Sequence, residues 1–560
     1  MEISVMYWSE SALFPVLTLM TLVPLATTFA VLLVNSTRLI TGIGYLGALV
    51  TGLLAVYLLS VFDQYNSGIQ LAERLAVAGM SYNVGVDGAN LLFILMTTVL
   101  TLLALIYVQG SRFAGDGSVI AALLGYEAIL IGAFAALNAL QFWLWSVAEV
   151  IPVAFLTVYA GTGSQRKHAL KILMQFWGGG LLLTFVGFML LGFGLEDSEQ
   201  PVNFDWLALA QNNAPFSNET LIFILLIFGF AVRMPLFPFH AWLPLLAEQG
   251  AVAGVGVFVV GLKLGIYAVV RFILPLIPGV ADEWSSLVVT MGLIGIFYGA
   301  LLALMQINIR RLLAFAVISH TGMLIIGVFS FELNGVEGSL LLSLAYGLAA
   351  AGMLLSIGFI YEHTNTASMP RLGNVWDTRT ALGFMFLISA LSTMAMPGTP
   401  GFDAAHMLIS GVVGKNGWII ATVIGLGNVL AAAFLLWAFQ RVFLADIKRA
   451  VTVNHLVKTP VYERIIAVLI CGLLLITGFY SSPWLSLVNT ANGTIGKYYN
   501  LHNSIYEEYE QNNAASPTQE QEQLLDQELA PEEMPAPQDL TPKPHKSHSP
   551  VVIDEERGDT

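Results

Sequence analysis

Long apolar segments, separated by short polar ones, recur along this chain from Leu13 to Tyr480. Each is about twenty residues long, which is the length that a helix needs to cross a bilayer core about 30 Å thick. Because backbone amides and carbonyls in lipid must be paired within the segment, such runs predict helices. Strand-like alternation of apolar and polar residues is missing, which makes a β-barrel a poor interpretation. We therefore predict an all-α, polytopic membrane protein.

About fourteen transmembrane helices are expected from these segments. By residue number, the predicted spans are 12–34, 39–62, 86–109, 118–138, 140–160, 173–195, 221–238, 251–275, 285–305, 312–331, 338–362, 380–413, 417–443 and 464–481.

Two of the predicted helices are interrupted by proline, which cannot continue a regular helix. The interrupting residues are Pro235 and Pro238 in the span 221–238 and Pro397 and Pro400 in the span 380–413. Non-helical backbone at membrane depth survives only where protein or water satisfies it, so the breaks indicate ion sites. We expect His240 and Trp242 to line the mouth of the first break, with Trp242 at the level of the lipid headgroups.

The amino-acid composition agrees with a membrane location and excludes several kinds of cofactor and metal site. The chain is 56% hydrophobic and 11% charged, whereas about a quarter of the residues of a soluble domain are charged. Its start, MEISVMYWSE, does not resemble a cleaved signal peptide. Cys471 is the only cysteine, which excludes disulfides and cysteine-ligated zinc or iron–sulfur centres within the chain. No phosphate loop, nucleotide fingerprint or metal-ligand cluster stands out, so no cofactor, metal or nucleic acid is predicted, and any redox chemistry belongs to partners.

Charge is concentrated in the last sixty residues. The whole chain has a formal charge of −14, and residues 501–560 supply most of it. That segment is rich in Glu, Gln, Pro and Ser, which predicts a disordered acidic tail, with a docking segment around QEQLLDQELA as the alternative. The predicted regions are N-terminal helices at 1–80, an ion-conducting core at 81–445, a last helix with its flanks at 446–500, and the tail at 501–560.

Basic residues favour alternate connections between the predicted helices. One set of connections holds Arg38, Arg112, Arg166, Lys167, Lys171, Arg310, Arg311, Arg371, Arg379, Arg441, Lys448, Arg449 and Lys458, whereas the opposite set holds chiefly Arg74 and Lys415. The positive-inside rule makes the first set cytoplasmic, and with fourteen helices both termini lie outside. We expect a multi-pass protein of the cell inner membrane.

Ionisable residues occur where lipid is expected. They are Glu127, Glu149, Arg233, Lys263, Arg271, His320, Asp403 and His406. Each costs about 2.5–3.5 kcal/mol at the centre of a membrane helix, so such a set indicates an internal hydrated route. Arg271, near the end of its span, is expected to extend to the lipid headgroups instead.

Each of these residues also has a structural interpretation. Glu149 and Lys263 lie well inside apolar helices, which favours a function over a static buried ion pair. His320 and Glu127 fit a packing role equally well. Arg233 cannot release its proton, so we expect it to pair with Glu149 and hold it charged rather than to carry protons.

Four segments resemble a known family. They are YNVGVDGANLLFILMTTVL at 82–100, FAVRMPLFPFHAWLP, VVGLKLGIYAVVRF and GALLALMQINIRRLLAFAVISHTGMLIIGV. Together they are similar to the antiporter-like membrane subunits of respiratory complex I and of Mrp cation antiporters, above all the chain M-like members. The resemblance extends over about residues 80–445.

This resemblance implies a fold of fourteen helices with two inverted five-helix repeats, each with one broken helix. In that family ions move along a central row of lysine, histidine and glutamate side chains, driven by a partner subunit. Lys263 matches the lysine of the eighth helix and His320 matches the histidine of the SHxG run. Arg233 stands where the broken seventh helix usually has a lysine.

Several positions depart from the family pattern. Val147 stands where the fifth-helix glutamate is usual, and Glu149 lies two residues later. Ala405 occupies the place of the second broken helix's glutamate, with Asp403 and His406 beside it. Asn308 replaces an acid before the IRR run, and the loop LLAEQGAVAGV carries Glu248 but lacks the family's proline. These changes predict a rewired or partly disabled ion path.

Several functions fit this pattern. The first is a proton-translocating subunit of a multi-subunit complex, either chain M-like in complex I or Mrp-type. A repurposed form of it would drive inorganic carbon uptake together with a soluble zinc-containing, carbonic-anhydrase-like partner. The second is a membrane subunit that no longer conducts, and the third is a stand-alone transporter of an organic solute. Redox, antiporter or carbonic-anhydrase-like neighbouring genes would distinguish the versions of the first.

Overall fold

The computed structural model describes residues 4–77, 80–194, 202–211, 216–251, 260–445 and 460–491. All of the described residues belong to one compact unit, Met1–Leu501. The predicted acidic tail lies outside the described residues, as do 446–459 and 492–500 of the region before it.

Every predicted span coincides with helical structure. Over the described residues, eleven helices are long and apolar enough to cross a membrane: Val16–Leu33, Thr37–Val61, Leu91–Gln109, Gly117–Ala135, Ala139–Tyr159, Arg166–Phe193, Ser285–Leu304, Ile309–Val328, Leu333–Thr364, Pro400–Leu444 and Val461–Phe479. Shorter helices at Glu219–Arg233, Leu264–Ile273 and Thr380–Thr393 account for the remaining spans. The run Pro400–Leu444 holds two predicted spans, because Gly417, with a φ of 78°, separates two helices within it. The prediction of a polytopic helical membrane protein is confirmed.

Smaller elements connect these helices. They are the short helices Trp8–Ser11, Trp206–Gln211, Trp242–Gln249, Pro278–Glu283, Val375–Thr378 and Ser482–Asn489, a 3-10 turn at Met369–Arg371, and π-helical turns at Val269–Ile273 and Gln440–Leu444.

A three-stranded sheet combines the start of the chain with the connection between the second and third long helices. It is formed by β1 (Val5–Tyr7), β2 (Ile69–Val77) and β3 (Met80–Val86) in the order β1-β2-β3. β1 is parallel to β2, and β2 is antiparallel to β3, with Gln70 opposite Val86. The sequence did not predict this small sheet, because the prediction rested on apolar segments of helical length; the sheet does not change the helical fold class.

Glu73 of β2 anchors the sheet to the first long helix. Its buried carboxylate accepts hydrogen bonds from the backbone amides of Leu17 (2.8 Å) and Thr18 (3.0 Å) and from the Thr18 hydroxyl. These amides lie in the first turn of Val16–Leu33, where helical N–H groups have no partner within the helix. Burial raises the pKa of the Glu73 carboxyl, and the hydrogen bonds from Thr18 and Leu17 oppose that rise.

Arg271 is buried, contrary to the prediction that it reaches the headgroups. Its side chain is 2% exposed, and Nη2 lies 2.8 Å from Oδ1 of Asp87, directly after β3. Its Nε donates to the Tyr267 hydroxyl at 3.1 Å, and its backbone carbonyl accepts from the indole of Trp206 at 2.6 Å. The prediction failed because position within a span does not show whether a counter-charge lies opposite. This group, the Asp87–Arg271 clamp, ties the sheet to the helix that follows Lys263.

Three helices form the centre of the described chain. In Gly117–Ala135, Ile309–Val328 and Leu333–Thr364, 89% of the most apolar window is buried, compared with 33% in the first two long helices. Close packing is possible because of glycine: a Cβ on Gly322 would lie 2.4 Å from the carbonyl oxygen of Gly292. Small residues of this kind allow membrane helices to approach closely. The central helices surround the residues described next.

Breaking the Asp87–Arg271 clamp should destabilise the protein. Arg271→Gln leaves a buried carboxylate without its counter-charge, so we expect the free energy of unfolding to fall by about 3–5 kcal/mol. Thermal unfolding of the purified protein in detergent would measure this. Arg311→Gln is the matched control, since it removes a 3.5 Å ion pair to Glu248 whose arginine side chain is 45% exposed, and should cost about 1 kcal/mol or less. Equal losses in the two variants would contradict a structural role of the clamp.

Candidate ion-translocation site

Glu149 lies at the junction between the helices Ala139–Ala148 and Val150–Tyr159. Its side chain is fully buried and has two donors: the Tyr126 hydroxyl donates to Oε1 at 2.7 Å, and Arg233 Nη2 donates to Oε2. A carboxylate with two donors, one of them cationic, is satisfied in a low-dielectric site. The predicted pairing of Glu149 with Arg233 is confirmed.

Arg233 ends the helix Glu219–Arg233, and only 12% of its side chain is exposed. Its guanidinium carbon lies 4.4 Å from the ring centroid of Trp177, a cation–π geometry. Trp177 packs edge-on against Trp242 at 5.4 Å, and the indole of Trp242 donates to the carbonyl oxygen of Val232 at 3.1 Å. The arginine is therefore held by a carboxylate on one side and by aromatic rings on the other.

The first helix break occupies residues 234–241, between Glu219–Arg233 and Trp242–Gln249. Pro235 is buried, Pro238 is exposed, and the Phe237–Pro238 peptide bond is cis. The predicted break is confirmed, but the positions expected for His240 and Trp242 are wrong. Trp242 is fully buried because it satisfies the carbonyl of Val232, which the end of the helix leaves free. His240 is 6% exposed and lies edge-on to Tyr298 at 5.0 Å.

Lys263 precedes the helix Leu264–Ala268 and is 4% exposed. No ion pair to Lys263 is found among the residues that the structure describes. Gly261, two residues earlier, lies against the Glu149 group: a Cβ there would be 2.4 Å from the Tyr126 hydroxyl and 2.5 Å from Glu149 Oε1. Any side chain at position 261 would clash with these two oxygen atoms. The backbone before Lys263 therefore packs directly against Tyr126 and Glu149 because residue 261 is glycine.

His320 is connected to Lys263 through the helix Leu333–Thr364. The Cε of Lys263 is 3.8 Å from the point where Gly347 would carry a Cβ. Tyr346, the preceding residue, faces His320 with ring centroids 4.3 Å apart. His320 Nε2 and the Tyr346 hydroxyl are buried and have no hydrogen-bond partner in the described part of the chain. The structure thus brings the Lys263 segment against Glu149 and Tyr126, and against the helix whose Tyr346 faces His320. We call Glu149, Lys263 and His320, together with Tyr126 and Tyr346, the central row.

Glu127 does not join the central row through any contact described. It is fully buried, and both carboxyl oxygens are without a hydrogen-bond partner within the described ranges. Its neighbour Tyr126 faces Glu149, and consecutive helical residues point about 100° apart. Such a carboxyl is tolerated only when neutral or hydrated.

The second helix break separates Thr380–Thr393 from the helix that begins at Pro400. Pro397 is exposed, and Gly398 has a φ of 84°. The break is confirmed, but its polar residues lie apart from the central row. Asp403 lines a separate apolar cavity, and His406 is exposed. Ala405, where a relative's glutamate is expected, is buried at 5% exposure.

A cavity of about 70 Å³ leads from Tyr126 towards Arg310. Its polar lining includes Thr157 and Gly250, and Arg310 donates to the carbonyl oxygen of Gly250 at 2.7 Å. A space of this volume with polar partners can hold water. The cavity therefore extends from Tyr126, whose hydroxyl donates to Glu149, to Arg310 in the first turn of Ile309–Val328.

Sequence reasoning missed Tyr126, Tyr346, Trp177 and Gly261. Aromatic and small residues inside apolar helices are ordinary packing residues, so no signal in the sequence distinguishes them. Their roles depend on which helix faces meet.

Known proteins resemble this chain in sequence and in fold. The family described as "NADH:quinone oxidoreductase/Mrp antiporter, TM" matches residues 136–431. NADH-quinone oxidoreductase subunit M of Rickettsia typhi is 30% identical over 416 residues, which cover 72% of this chain and 82% of the relative. Subunit M of Rhodobacter capsulatus is 30% identical over 445 residues, covering 77% of this chain and 86% of the relative.

Solved structures show the same fold. A chain of respiratory complex I from Thermus thermophilus is 27% identical with a TM-score of 0.76, over 86% of this chain and 99% of that one. A chain of the Mrp complex from Dietzia sp. has a TM-score of 0.74 at 20% identity, over 86% and 97%. Fold and matches together define a proton-translocating, antiporter-like membrane subunit. This chain belongs to the NADH:quinone oxidoreductase/Mrp antiporter transmembrane family, as a chain M-like member.

The pairing of Glu149 with Arg233 can be tested by a double-mutant cycle. Glu149→Gln and Arg233→Gln each strand one buried charge, so each should cost about 3–5 kcal/mol, and the double variant should cost less than the two losses added together. Thermal unfolding would give the coupling energy. The control cycle is Lys415→Ala with Asp282→Ala, a pair whose aspartate side chain is 53% exposed, where coupling of about 1 kcal/mol or less is expected. Additive losses at Glu149 and Arg233 would refute the coupling.

Proposed function

We propose that this chain conducts protons along the central row, from the cavity at Tyr126 past the fixed Glu149–Arg233 pair to Lys263, Tyr346 and His320. The observation that carries the proposal is the position of Lys263. It is a buried lysine without an ion pair in the described chain, between the Glu149 group on one side and the His320 group on the other. A lysine can release and accept a proton, so it can connect the two groups.

Arg233 has a different part in this scheme. An arginine effectively never deprotonates, so it holds Glu149 charged and does not carry protons itself. Because Glu149 stays ionised in the pair, its carboxylate remains charged beside Gly261, two residues before Lys263. In this proposal the mobile proton is exchanged beyond the pair, at Lys263 and at the unpartnered groups of Tyr346 and His320.

The central row lacks acidic residues towards the second broken helix. Ala405 is buried where an acid would extend the row, and the side chain of Asn308 accepts from the Arg310 amide at 3.0 Å, as a helix cap. Asp403 and His406 therefore enter the path only by way of water, and we assign them a secondary role. The sequence departures thus support a modified path in the second half of the chain.

We also propose that the chain works as one subunit of a larger complex in the cell inner membrane. The relatives named above are subunits of NADH-quinone oxidoreductases, and one matched structure is an Mrp complex. The departures at Val147, Ala405 and Asn308 support a second version, in which the flux drives inorganic carbon uptake with a soluble zinc-containing, carbonic-anhydrase-like partner. A non-conducting structural subunit is the remaining alternative.

Removal of the Lys263 amine should stop proton flux. We expect Lys263→Ala to abolish coupled proton movement in vesicles while the amount of protein in the membrane is unchanged, and Lys263→Arg not to restore it because arginine keeps its proton. A pH-sensitive dye inside the vesicles would report the flux. Lys415→Ala, at a pair with the exposed Asp282, is the control and should conduct normally. Full flux in Lys263→Ala would leave only the structural alternative.

Gentle purification should recover the chain together with at least one further membrane subunit. Mass spectrometry of the purified complex then distinguishes the versions of the proposal. Redox subunits indicate a complex I, cation-antiporter subunits indicate an Mrp complex, and a zinc-containing hydratase-like protein indicates carbon uptake. Recovery of an active chain by itself would contradict the proposal that it works within a complex.

A further inference from the structure

Glu127 is a buried acid that no contact described so far explains. It lies in the helix Gly117–Ala135, its side chain is fully buried, and neither carboxyl oxygen has a hydrogen-bond partner in the described part of the chain. A buried carboxyl in this state carries a proton and no charge. Glu149 differs, because Arg233 and Tyr126 hold it as a carboxylate. Glu127 can therefore change its protonation, whereas Glu149 is fixed.

Two contacts join the helix Gly117–Ala135 to the chain around the central lysine. At the first, the backbone of Gly261 packs against the hydroxyl of Tyr126. At the second, the ring of Tyr267 lies edge-on to Phe134 at 5.4 Å, and its hydroxyl donates to the carbonyl oxygen of Phe134 at 2.8 Å. Because the later residue of one segment meets the later residue of the other, the two segments lie side by side and run in the same direction.

Glu127 and Lys263 lie between these two contacts, on the sides that face each other. Glu127 is two turns before Phe134 to within about 20°, so both side chains share the face that meets Tyr267. Lys263 is one turn before Tyr267, whose amide donates to the Lys263 carbonyl oxygen at 3.0 Å, so it shares the face that meets Phe134. At about 1.5 Å per residue the acid lies about 10.5 Å before its contact residue and the lysine about 6 Å before its own. The difference of about 4.5 Å can be crossed by a flexible stem of four methylene groups.

The amine end of Lys263 lies against its other neighbour, the helix Leu333–Thr364, in this structure. Its Cε is 3.8 Å from the point where Gly347 would carry a Cβ, and the preceding Tyr346 faces His320. Rotation about the bonds of the stem moves the amine without moving the backbone. The lysine therefore has two positions, one beside Gly347 and one towards Glu127.

We propose that Glu127 is the acid with which Lys263 exchanges its proton. In this step the proton leaves a carboxyl oxygen of Glu127 and binds to the lone pair of the neutral Lys263 amine, so that a carboxylate and an ammonium form. The ammonium turns back and gives its proton to Nε2 of His320, which has no hydrogen-bond partner among the described residues. The carboxylate takes the next proton from the cavity at Tyr126, the adjacent residue. The exchange rests on the proposed proton path and supplies it with an acid that can change its charge.

The exchange can be tested with the full-length protein, together with the subunits that copurify with it, in vesicles that contain a pH-sensitive dye. Glu127→Gln keeps the size of the side chain but cannot release a proton, so proton flux should fall about a hundredfold, whereas Glu127→Asp should retain about a tenth of the flux or more. Gly125→Ala is the matched control on the opposite side of the same helix, where a Cβ would lie 3.5 Å from Thr28 Oγ1, and should conduct normally. Full flux in Glu127→Gln, or equal losses in Glu127→Gln and Glu127→Asp, would overturn the exchange.

These measurements also separate the exchange from the path on which it rests. If Lys263→Ala stops the flux while Glu127→Gln conducts fully, the path stands and Glu127 has no part in it. If Lys263→Ala conducts fully, the path is wrong and the exchange falls with it. The unfolding temperature of Glu127→Gln should equal that of the wild type, because the Glu127 oxygens have no donor to lose. A decrease as large as that of Glu149→Gln would indicate a structural acid and overturn the proposal.

Infrared spectroscopy tests the protonation of Glu127 directly. The difference between the wild type and Glu127→Gln at neutral pH should contain the carbonyl band of a protonated carboxylic acid, and a carboxylate band in its place would overturn the proposal. As the pH is raised, this band should be lost at a lower pH in the wild type than in Lys263→Ala, because only the wild type has an ammonium that can pair with the carboxylate. Loss of the band at the same pH in both proteins would overturn the exchange.

Discussion

A charge inside a bilayer has to be solvated by the protein around it, and the centre of this chain is arranged around that constraint. Glu149 has a hydroxyl and a guanidinium as donors. Arg233 has the carboxylate on one side and the face of Trp177 on the other. Glu149 lies at the junction of two helices, and Arg233 lies at the end of a third. At that end the carbonyl oxygen of Val232 has no partner within the helix and accepts a hydrogen bond from the Trp242 indole. The helix ends and the charged side chains are thus stabilised by the same group of residues.

The replacement of a lysine by an arginine at position 233 changes what this pair can do. The family that the sequence resembles usually has a lysine at this place, and a lysine can release and accept a proton. Arginine fixes the positive charge and removes that possibility. In the proposed path the changes of protonation therefore fall to Lys263, which has no fixed partner in the described chain. A fixed ion pair beside a buried lysine without an ion pair is the electrical character of this part of the described chain.

The sequence was sufficient for the helices, their breaks and the burial of Glu127, Glu149, Lys263 and His320, because apolar length, proline and ionisable residues within apolar segments are local properties. It did not separate these from His406, which is exposed. The pairing of Glu149 with Arg233 followed from the helix order that the family resemblance implies. The partner of Arg271 could not be predicted, since Asp87 is far away in the chain and follows a strand that the apolar pattern obscured. The roles of Tyr126 and Tyr346 were also hidden, because a tyrosine within an apolar helix is ordinarily a packing residue. Trp242 was misplaced because its preference for interfaces is weaker than the need of a free carbonyl for a donor.

The Asp87–Arg271 clamp has a mechanical consequence for Lys263. The clamp fixes the main chain eight residues after the lysine, through Asp87 and Trp206 at once. Sliding of the helix along its axis would have to break both of these contacts, whereas rotation about the bonds of the lysine stem breaks neither. The four-carbon stem is flexible and ends in a compact charge. Lys263 is thus a flexible arm on a stationary mount, and the positions that its charge can occupy are limited by the length of one side chain.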